Sequence, residues 1–310
     1  ANMLNQKALQ KIREIKKRPQ DKLFSVHLED KKRIEEFARD IPVSAYKLID
    51  KFWPGPLTLI LNSRKDGTVG LRMPDNPIAL KIIGYALVPV ICPSANISGA
   101  PAPVNFEEAI RDFSGLVDFA IDAGTTRLGI ESSVVDLTVS PLRVLREGAI
   151  KKTDIEIIAQ KKNVLFVCTG NSCRSVMAKA LLEKILRQKN RVDVEVSSAG
   201  IMMLGGLGAT EETKAVLNKE GLDVSSHRSM RVTKEMLKKS DFILVMERLH
   251  EAALLDIAPE AKNRIFLLKE FAKISNNSID IADPIGKPLE FYEKTYSVIR
   301  EAVEKVSGLI

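Results

Sequence analysis

The segment Cys168-Thr169-Gly170-Asn171-Ser172-Cys173-Arg174-Ser175 concentrates the reactive side chains of this sequence. An apolar run, 163–168, ends on Cys168, and a helical pattern begins near Arg174. A loop of that length between a strand and a helix can wrap its backbone N–H groups around one tetrahedral anion. Gly170 and Asn171 tolerate the left-handed conformations such a nest requires. Arg174 can hold two phosphate oxygens through its planar fork. N–H dipoles, a helix N-terminus and a guanidinium around one sulfur predict a Cys168 pKa well below the free value of roughly 8.5. Ser175 can donate a hydrogen bond to that sulfur. A lone cysteine at a strand end is more commonly a small buried hydrophobe. The spacing of cysteine and arginine, with Gly-Asn between them, is what points to a nucleophile.

These residues must be positioned by ordinary globular architecture. The chain has 310 residues, 45% hydrophobic and 28% charged, which predicts about two domains and excludes wholesale disorder. The net charge of +7 is shared by both halves. It fits small anionic substrates as well as nucleic acid. The longest apolar stretches, such as 86–92, fall far short of the roughly 18 residues of a membrane span. The three cysteines, Cys92, Cys168 and Cys173, form no disulfide framework and point to the cytoplasm. His27, His227 and His250 are too scattered for a metal site, and none is expected. The sequence begins at Ala1, inside a helical pattern, and reads as a fragment that lost its beginning.

Periodicity places helices at 5–17, 31–37, 44–52, 77–85 and 106–113. It places strands at 23–28, 57–61, 69–72, 88–92, 119–122 and 133–137. The region 1–150 is therefore a mixed α+β domain. A polar stretch, 151–161, reads as the linker. From 162 to 310 strands (163–168, 192–197, 242–246, 265–268) alternate with helices (174–187, 211–219, 291–306). That is the pattern of a doubly wound α/β domain with a parallel sheet, so the chain is α/β overall. Asp241 and Glu247 read as solvated strand-end charges.

From 163 to 310 the sequence resembles the low-molecular-weight protein tyrosine phosphatase family. The resemblance rests on the loop above, on Ser197-Ser198-Ala199-Gly200 and on Asp283-Pro284. It implies a central four-stranded parallel sheet, Cys168 as nucleophile, Arg174 as phosphate ligand and transition-state stabiliser, and Asp283 as general acid and then base. Thr169, Gly170, Asn171, Ser172, Cys173 and Ser175 complete the phosphate-binding loop. Attack by Cys168 would give a phosphocysteine, with no cofactor. Asp283 beside Pro284 is equally readable as a turn cap. Arsenate reductases with a similar loop need further cysteines downstream, and none follows Cys173. Ser172 and the run Asp283-Pro284-Ile285-Gly286 with Tyr292 resemble the arginine-directed branch, which carries a small hydroxyl residue where tyrosine-directed members carry an aliphatic one. A hydroxyl can pair with a guanidinium. A phosphorylated protein, on arginine or on tyrosine, is thus the expected partner. Cys173 is readable either as packing or as a trap for oxidised Cys168.

From 1 to about 150 several motifs occur in order. They are Lys16-Lys17-Arg18-Pro19, Ser25-Val26-His27, Trp53-Pro54-Gly55-Pro56-Leu57-Thr58, Gly70-Leu71-Arg72-Met73-Pro74, Pro93-Ser94-Ala95-Asn96-Ile97-Ser98-Gly99, Gly129 to Asp136 and Leu145-Arg146-Glu147-Gly148. Together they resemble the YrdC-like threonylcarbamoyl-AMP synthases. The resemblance implies a reaction of L-threonine, bicarbonate and ATP, with Mg2+ accompanying the ATP. Its product serves threonylcarbamoyladenosine modification of tRNA, so tRNA or tRNA-modification proteins are implied partners. Lys16, Arg18, Arg72 and Arg146 fall around the ATP phosphates. Ser94, Asn96 and Ser132 fall in the nucleotide site, and His27 near threonine. Lys22, assigned to the same site, stands with Leu23 where the family usually has Asn-Pro. The family's opening strand would precede Ala1. The main expectation is a bifunctional enzyme. The alternative is a protein-tyrosine phosphatase whose first domain only binds RNA or nucleotide.

Overall fold

In the first unit, Val69 and Leu71 point inward while Thr68, Gly70 and Arg72 do not, the period-two pattern of a half-buried strand. The computed structural model describes residues 1–20, 22–202, 205–274 and 278–310, which divide into units Ala1–Ala159 and Gln160–Ile310. The first unit's strands are β1 (Ser25–His27), β2 (Leu57–Asn62), β3 (Thr68–Arg72), β4 (Val90–Ile91), β5 (Ser133–Asp136) and β6 (Arg143–Arg146). They form one sheet in the order β4-β1-β3-β2-β5-β6. β1 runs parallel to β3 and β2 to β5, while the other pairs are antiparallel. The sheet is thus mixed, within a unit of helices and strands as the sequence implies. Val26, Leu57, Leu59, Leu71 and Val135 meet Leu48 of the helix Val43–Phe52 in the core.

Three details differ from the sequence reading. The stretch 119–122 is no strand. Phe119 is 93% exposed, and the sheet ends at β4 and β6 without it, so the alternation there faces solvent. Arg143–Arg146 does form a strand, β6, held by its backbone pairing to β5 and by Val144 against the core. The stretch 151–161 is largely the helix Lys152–Gln160. Ile155 is fully buried and Ile158 packs against the same core. Two isoleucines three apart make a stripe too narrow to stand out among charged neighbours.

The second unit holds β7 (Lys162–Cys168), β8 (Val194–Gly200), β9 (Phe242–Val245) and β10 (Ile265–Leu267). All pairs are parallel, in the order β10-β9-β7-β8. Phe166 and Cys168 enter the core beneath the helices Arg174–Gln188 and Leu289–Val306. Leu165 and Val167 face the opposite core with Leu254 of the helix Arg248–Ile257. A strand buried on both faces must read as a continuous apolar run, and β7 does. The chain leaves β7 toward β8 on one side and later builds β9 and β10 on the other. The carboxyl end of β7 is therefore the topological switch point, where such sheets open a crevice. Cys168 is its last residue.

Candidate functional site

The loop between Cys168 and the helix Arg174–Gln188 is held from beneath. Asn171 takes the left-handed conformation at φ 52° and is fully buried; Gly170 does not share that conformation. The Asn171 side chain donates to Ser175 Oγ and Ser198 Oγ, both at 2.9 Å, and accepts from the Met230 N–H at 3.0 Å. Its carbonyl accepts from His227 Nε2 at 2.7 Å. The end of β8 braces the loop as well. Ile201 N–H donates to the Cys168 carbonyl at 3.0 Å and Met202 N–H to the Thr169 carbonyl at 3.1 Å. A Cβ on Gly200 would lie 2.7 Å from the Thr169 oxygen and 2.9 Å from the Asn171 nitrogen, both backbone atoms. Gly200→Ala should therefore lower stability by about 1–3 kcal/mol and weaken inorganic phosphate binding together. Thermal melting and calorimetric titration check both.

Cys168 lies 3.0 Å from Ser175 Oγ, as the sequence implies. The expected acidic thiol is not found. Burial pushes the Cys168 thiol up, outweighing the opposing pull of Ser175, Arg174 and Asn171. Desolvation is the larger cause, and Arg174 offsets it only in part. Arg174 is 1% exposed and already paired. Its Nη1 donates to the Ile281 carbonyl at 2.7 Å and forms an ion pair with the Glu247 carboxylate at 2.9 Å. Its Nη2 donates to Thr169 Oγ1 at 3.0 Å and to the Asp283 carboxylate. The guanidinium thus faces two carboxylates as well as the thiol.

Asp283 fits both readings of its sequence context. One oxygen pairs with Arg174, and the other accepts from the Ile285 N–H at 3.2 Å in a turn. Glu247 is not a solvated strand-end charge, because it caps the helix Arg248–Ile257 and reaches Arg174. Asp241 accepts from the Asn163 N–H at 2.7 Å, at the start of β7. Ser172 is half-buried, with its hydroxyl 3.6 Å from the Cys173 sulfur. Cys173 is buried, 3.9 Å from the hydroxyl of the buried Tyr292.

His227 and His250 both serve this site, which their isolation in the sequence hides. His250 is fully buried; Nε2 lies 3.0 Å from Thr169 Oγ1, and Nδ1 accepts from the Glu247 N–H at 3.1 Å. Burial and Arg174 push His250 down to about 4, against Asp283 and Asp280. An unfolded chain protonates it near 6.5. Its contribution is thus complete above that value and is lost as pH falls toward about 4. Urea midpoints should drop across that window, and by less in His250→Gln.

The first unit gathers its predicted residues into two groups. Lys16, buried at the end of the helix Gln6–Lys16, donates to the carbonyls of Ser94 and Asn96. Burial, Arg18 and Lys22 push its pKa down. Asn96 donates to the Ala100 carbonyl, while its buried Oδ1 and the Ser98 hydroxyl have no partner among the described residues. Orphaned buried polar atoms beside an ammonium are what a polar ligand would satisfy. Arg18 folds onto its own loop, donating to the Lys22 and Leu23 carbonyls at 3.2 and 2.7 Å and stacking on Phe24. The Lys22 side chain is exposed, and Ser94 contributes its carbonyl.

The second group comes from β1, β2, β3 and β6 and from Ser132, just before β5. His27 pairs in register with Arg72, and burial with the Arg72 charge pushes it down to about 3. Arg72 donates to the Gly55 carbonyl at 3.1 Å, and Arg146 adds to the positive field around it. Arg146 donates to the Ser132 carbonyl at 3.0 Å and its hydroxyl at 3.2 Å, and pairs with Glu131. Thr58, within the Pro56-Leu57-Thr58 motif, completes the group 3.0 Å from Ser132 Oγ. Gly148 is required here, because a Cβ would meet the Glu131 carbonyl oxygen at 2.2 Å.

Comparison with known proteins divides the chain at the same place. Residues 1–148 match the family described as Telomere recombination (Sua5_yciO_yrdC). Residues 163–308 match the family described as Low molecular weight phosphotyrosine protein phosphatase. The threonylcarbamoyl-AMP synthase of Pyrococcus abyssi is 41% identical over 165 residues, 50% of this chain and 48% of that protein. The putative threonylcarbamoyl-AMP synthase of Methanocaldococcus jannaschii is 37% identical over 158 residues, 48% of this chain and 74% of that protein. The protein-arginine-phosphatase of Geobacillus stearothermophilus is 38% identical over 144 residues, 46% of this chain and 93% of that protein. The chain spans about half the length of the full synthases it matches. Among the described residues, no helix is long and apolar enough to cross a membrane.

Proposed function

Because residues 1–148 belong to the Sua5/YciO/YrdC family and residues 163–308 to the low molecular weight phosphotyrosine protein phosphatase family, we propose that the chain joins two activities. The second unit is a cysteine-dependent phosphatase of phosphoarginine in proteins. The first makes L-threonylcarbamoyl-AMP from threonine, bicarbonate and ATP.

One observation carries the phosphatase reading: Cys168, Ser175, Arg174 and Asp283 meet around a single strand-to-helix loop. Transfer of the Cys168 thiol proton to Asp283, the carboxylate that pairs with Arg174, yields a nucleophile and an acid in one step. It also frees Arg174 to take the phosphoryl oxygens. Cys168 Sγ then bonds phosphorus while the phosphorus–nitrogen bond breaks, and the Asp283 proton goes to the departing guanidine nitrogen. Asp283 next accepts a proton from water as that water attacks phosphorus. The sulfur–phosphorus bond breaks, phosphate leaves and the thiolate returns. Preorganised donors on the loop and Arg174 meet the charge that builds on phosphorus oxygens.

Three features favour phosphoarginine over the phosphotyrosine of the family's description. Among the described residues, the Ser172 hydroxyl has the Cys173 sulfur as its hydrogen-bond partner, a weak one, and can turn toward a guanidinium. Glu247 and Asp283 give the site a negative charge that suits a cationic leaving group. The relative from Geobacillus is named for that activity. Three free cysteines fit a reducing cytoplasm.

For the first unit, Lys16, Arg72 and Arg146 supply the cations for ATP phosphates, which arrive with magnesium. Asn96, Ser98 and Ser132 hold the nucleotide, and His27 the threonine. Arg18 joins the phosphates by swinging from its present loop contacts, with Lys22 beside it. The product then serves tRNA modification. The test is diphosphate release that requires both threonine and bicarbonate. Lys16→Met, which also strands the Ser94 and Asn96 carbonyls, should weaken ATP binding roughly 10–100-fold. Release independent of threonine would remove the synthase reading.

A further inference from the structure

We propose that His250 is a positioning residue for phosphate transfer, acting through Thr169 on Arg174; the inference rests on the phosphatase reading above. The Glu247 N–H fills Nδ1 of the ring at 3.1 Å. The single proton of a neutral imidazole therefore sits on Nε2, which points at Thr169 Oγ1 from 3.0 Å. The Glu247 carboxylate, 3.6 Å from Nε2, lies beyond hydrogen-bond reach. Thr169 Oγ1 also accepts from Arg174 Nη2 at 3.0 Å. Both lone pairs of that oxygen are then occupied, and its own proton is left to donate in the remaining direction.

This wiring matters at one moment. Arg174 Nη2 has two side-chain acceptors, Thr169 and Asp283. Asp283 must turn from it to protonate the departing group, and once protonated it no longer forms an ion pair with the guanidinium. Thr169 then remains as the protein's hold on Nη2, while Glu247 and the Ile281 carbonyl hold Nη1. A threonine side chain free to turn about its Cα–Cβ bond would carry Oγ1 away from Nη2. The His250 N–H, bonded to the same oxygen, holds it there. The ring is itself fixed because His250 and Glu247 cap the start of the helix Arg248–Ile257 reciprocally.

The test compares His250→Leu, Thr169→Val, Thr169→Ser and the double variant His250→Leu/Thr169→Val. Each folded protein is assayed for the rate of phosphocysteine formation and for binding of inorganic phosphate. Loss of one hydrogen bond to a charged group predicts roughly 10–100-fold slower formation in His250→Leu and in Thr169→Val. The fall should lie in kcat more than in KM. Thr169→Ser keeps the hydroxyl and should recover most of the loss. The double variant should be no slower than the slower single one, because both act through the same bond. Multiplicative losses, or wild-type rates in His250→Leu, would overturn the proposal. Ring nitrogen NMR supplies a readout independent of turnover. The Nε2–H tautomer supports the wiring, and the Nδ1–H tautomer contradicts it. If the wild-type protein hydrolyses no phosphopeptide, the phosphatase reading fails. The positioning proposal is then decided by whether both single variants weaken inorganic phosphate binding alike.

Discussion

Replacing Cys168 by serine lowers phosphate release from a phosphopeptide by roughly 10⁴-fold or more, as loss of a covalent nucleophile does. The hydroxyl is nearly the same size as the thiol, and the site beneath it does not depend on sulfur. Asn171 keeps its bonds to Ser175 and Ser198, and Gly200 keeps the loop in place. Binding of inorganic phosphate should therefore survive within a few-fold while turnover vanishes. A serine hydroxyl lacks a base strong enough to ionise it here, since Asp283 is only a carboxylate. The comparison of turnover with binding separates loss of the nucleophile from loss of the fold. It is read by colorimetric phosphate release and calorimetric titration on the same preparation.

Arg174→Lys should lower kcat by about 10²–10³-fold, the cost of losing one preorganised donor set at the transition state. Lysine carries a compact charge without a planar fork. It cannot bridge Glu247 and the Ile281 carbonyl on one side while meeting Thr169 and phosphate on the other. The substitution also leaves buried acceptors short of donors, so stability should fall by about 1–3 kcal/mol. Arg174→Gln would leave Glu247 and Asp283 without any cation and is expected to be the less stable of the two. Stopped-flow measurement of phosphocysteine formation and urea denaturation check the two effects separately.

Much of the second unit is legible from its sequence because β7 must be apolar on both faces and must end in a loop rich in Gly and Asn. The carboxyl end of a central strand is also where a parallel sheet opens, so Cys168 and Arg174 announce themselves. The acidity of the thiol is not legible in this way. It depends on the burial of the sulfur, which exists only once the fold has closed around it. The same holds for His250, whose meaning comes from two hydrogen bonds made across the fold. In the first unit, the order of short motifs points to Lys16, Arg72, Ser94, Asn96, Ser132 and Arg146, of which Lys16 meets Ser94 and Asn96 and Arg146 meets Ser132. It misplaces 119–122, where alternating apolar residues meet solvent instead of a sheet. It also passes over the helix Lys152–Gln160, whose buried face rests on Ile155 and Ile158. The present contacts of Arg18 with its own loop are likewise invisible in composition or spacing.

The central claim is that the Cys168 loop removes phosphate from arginine. Its most direct test is phosphate release from matched phosphoarginine and phosphotyrosine peptides, with the Cys168→Ser protein as the blank. The account predicts a higher kcat/KM for phosphoarginine, abolished in the blank, with the preference reduced in Ser172→Ile. A higher kcat/KM for phosphotyrosine would contradict the arginine assignment and leave the phosphocysteine chemistry standing. Release unchanged by Cys168→Ser would contradict both.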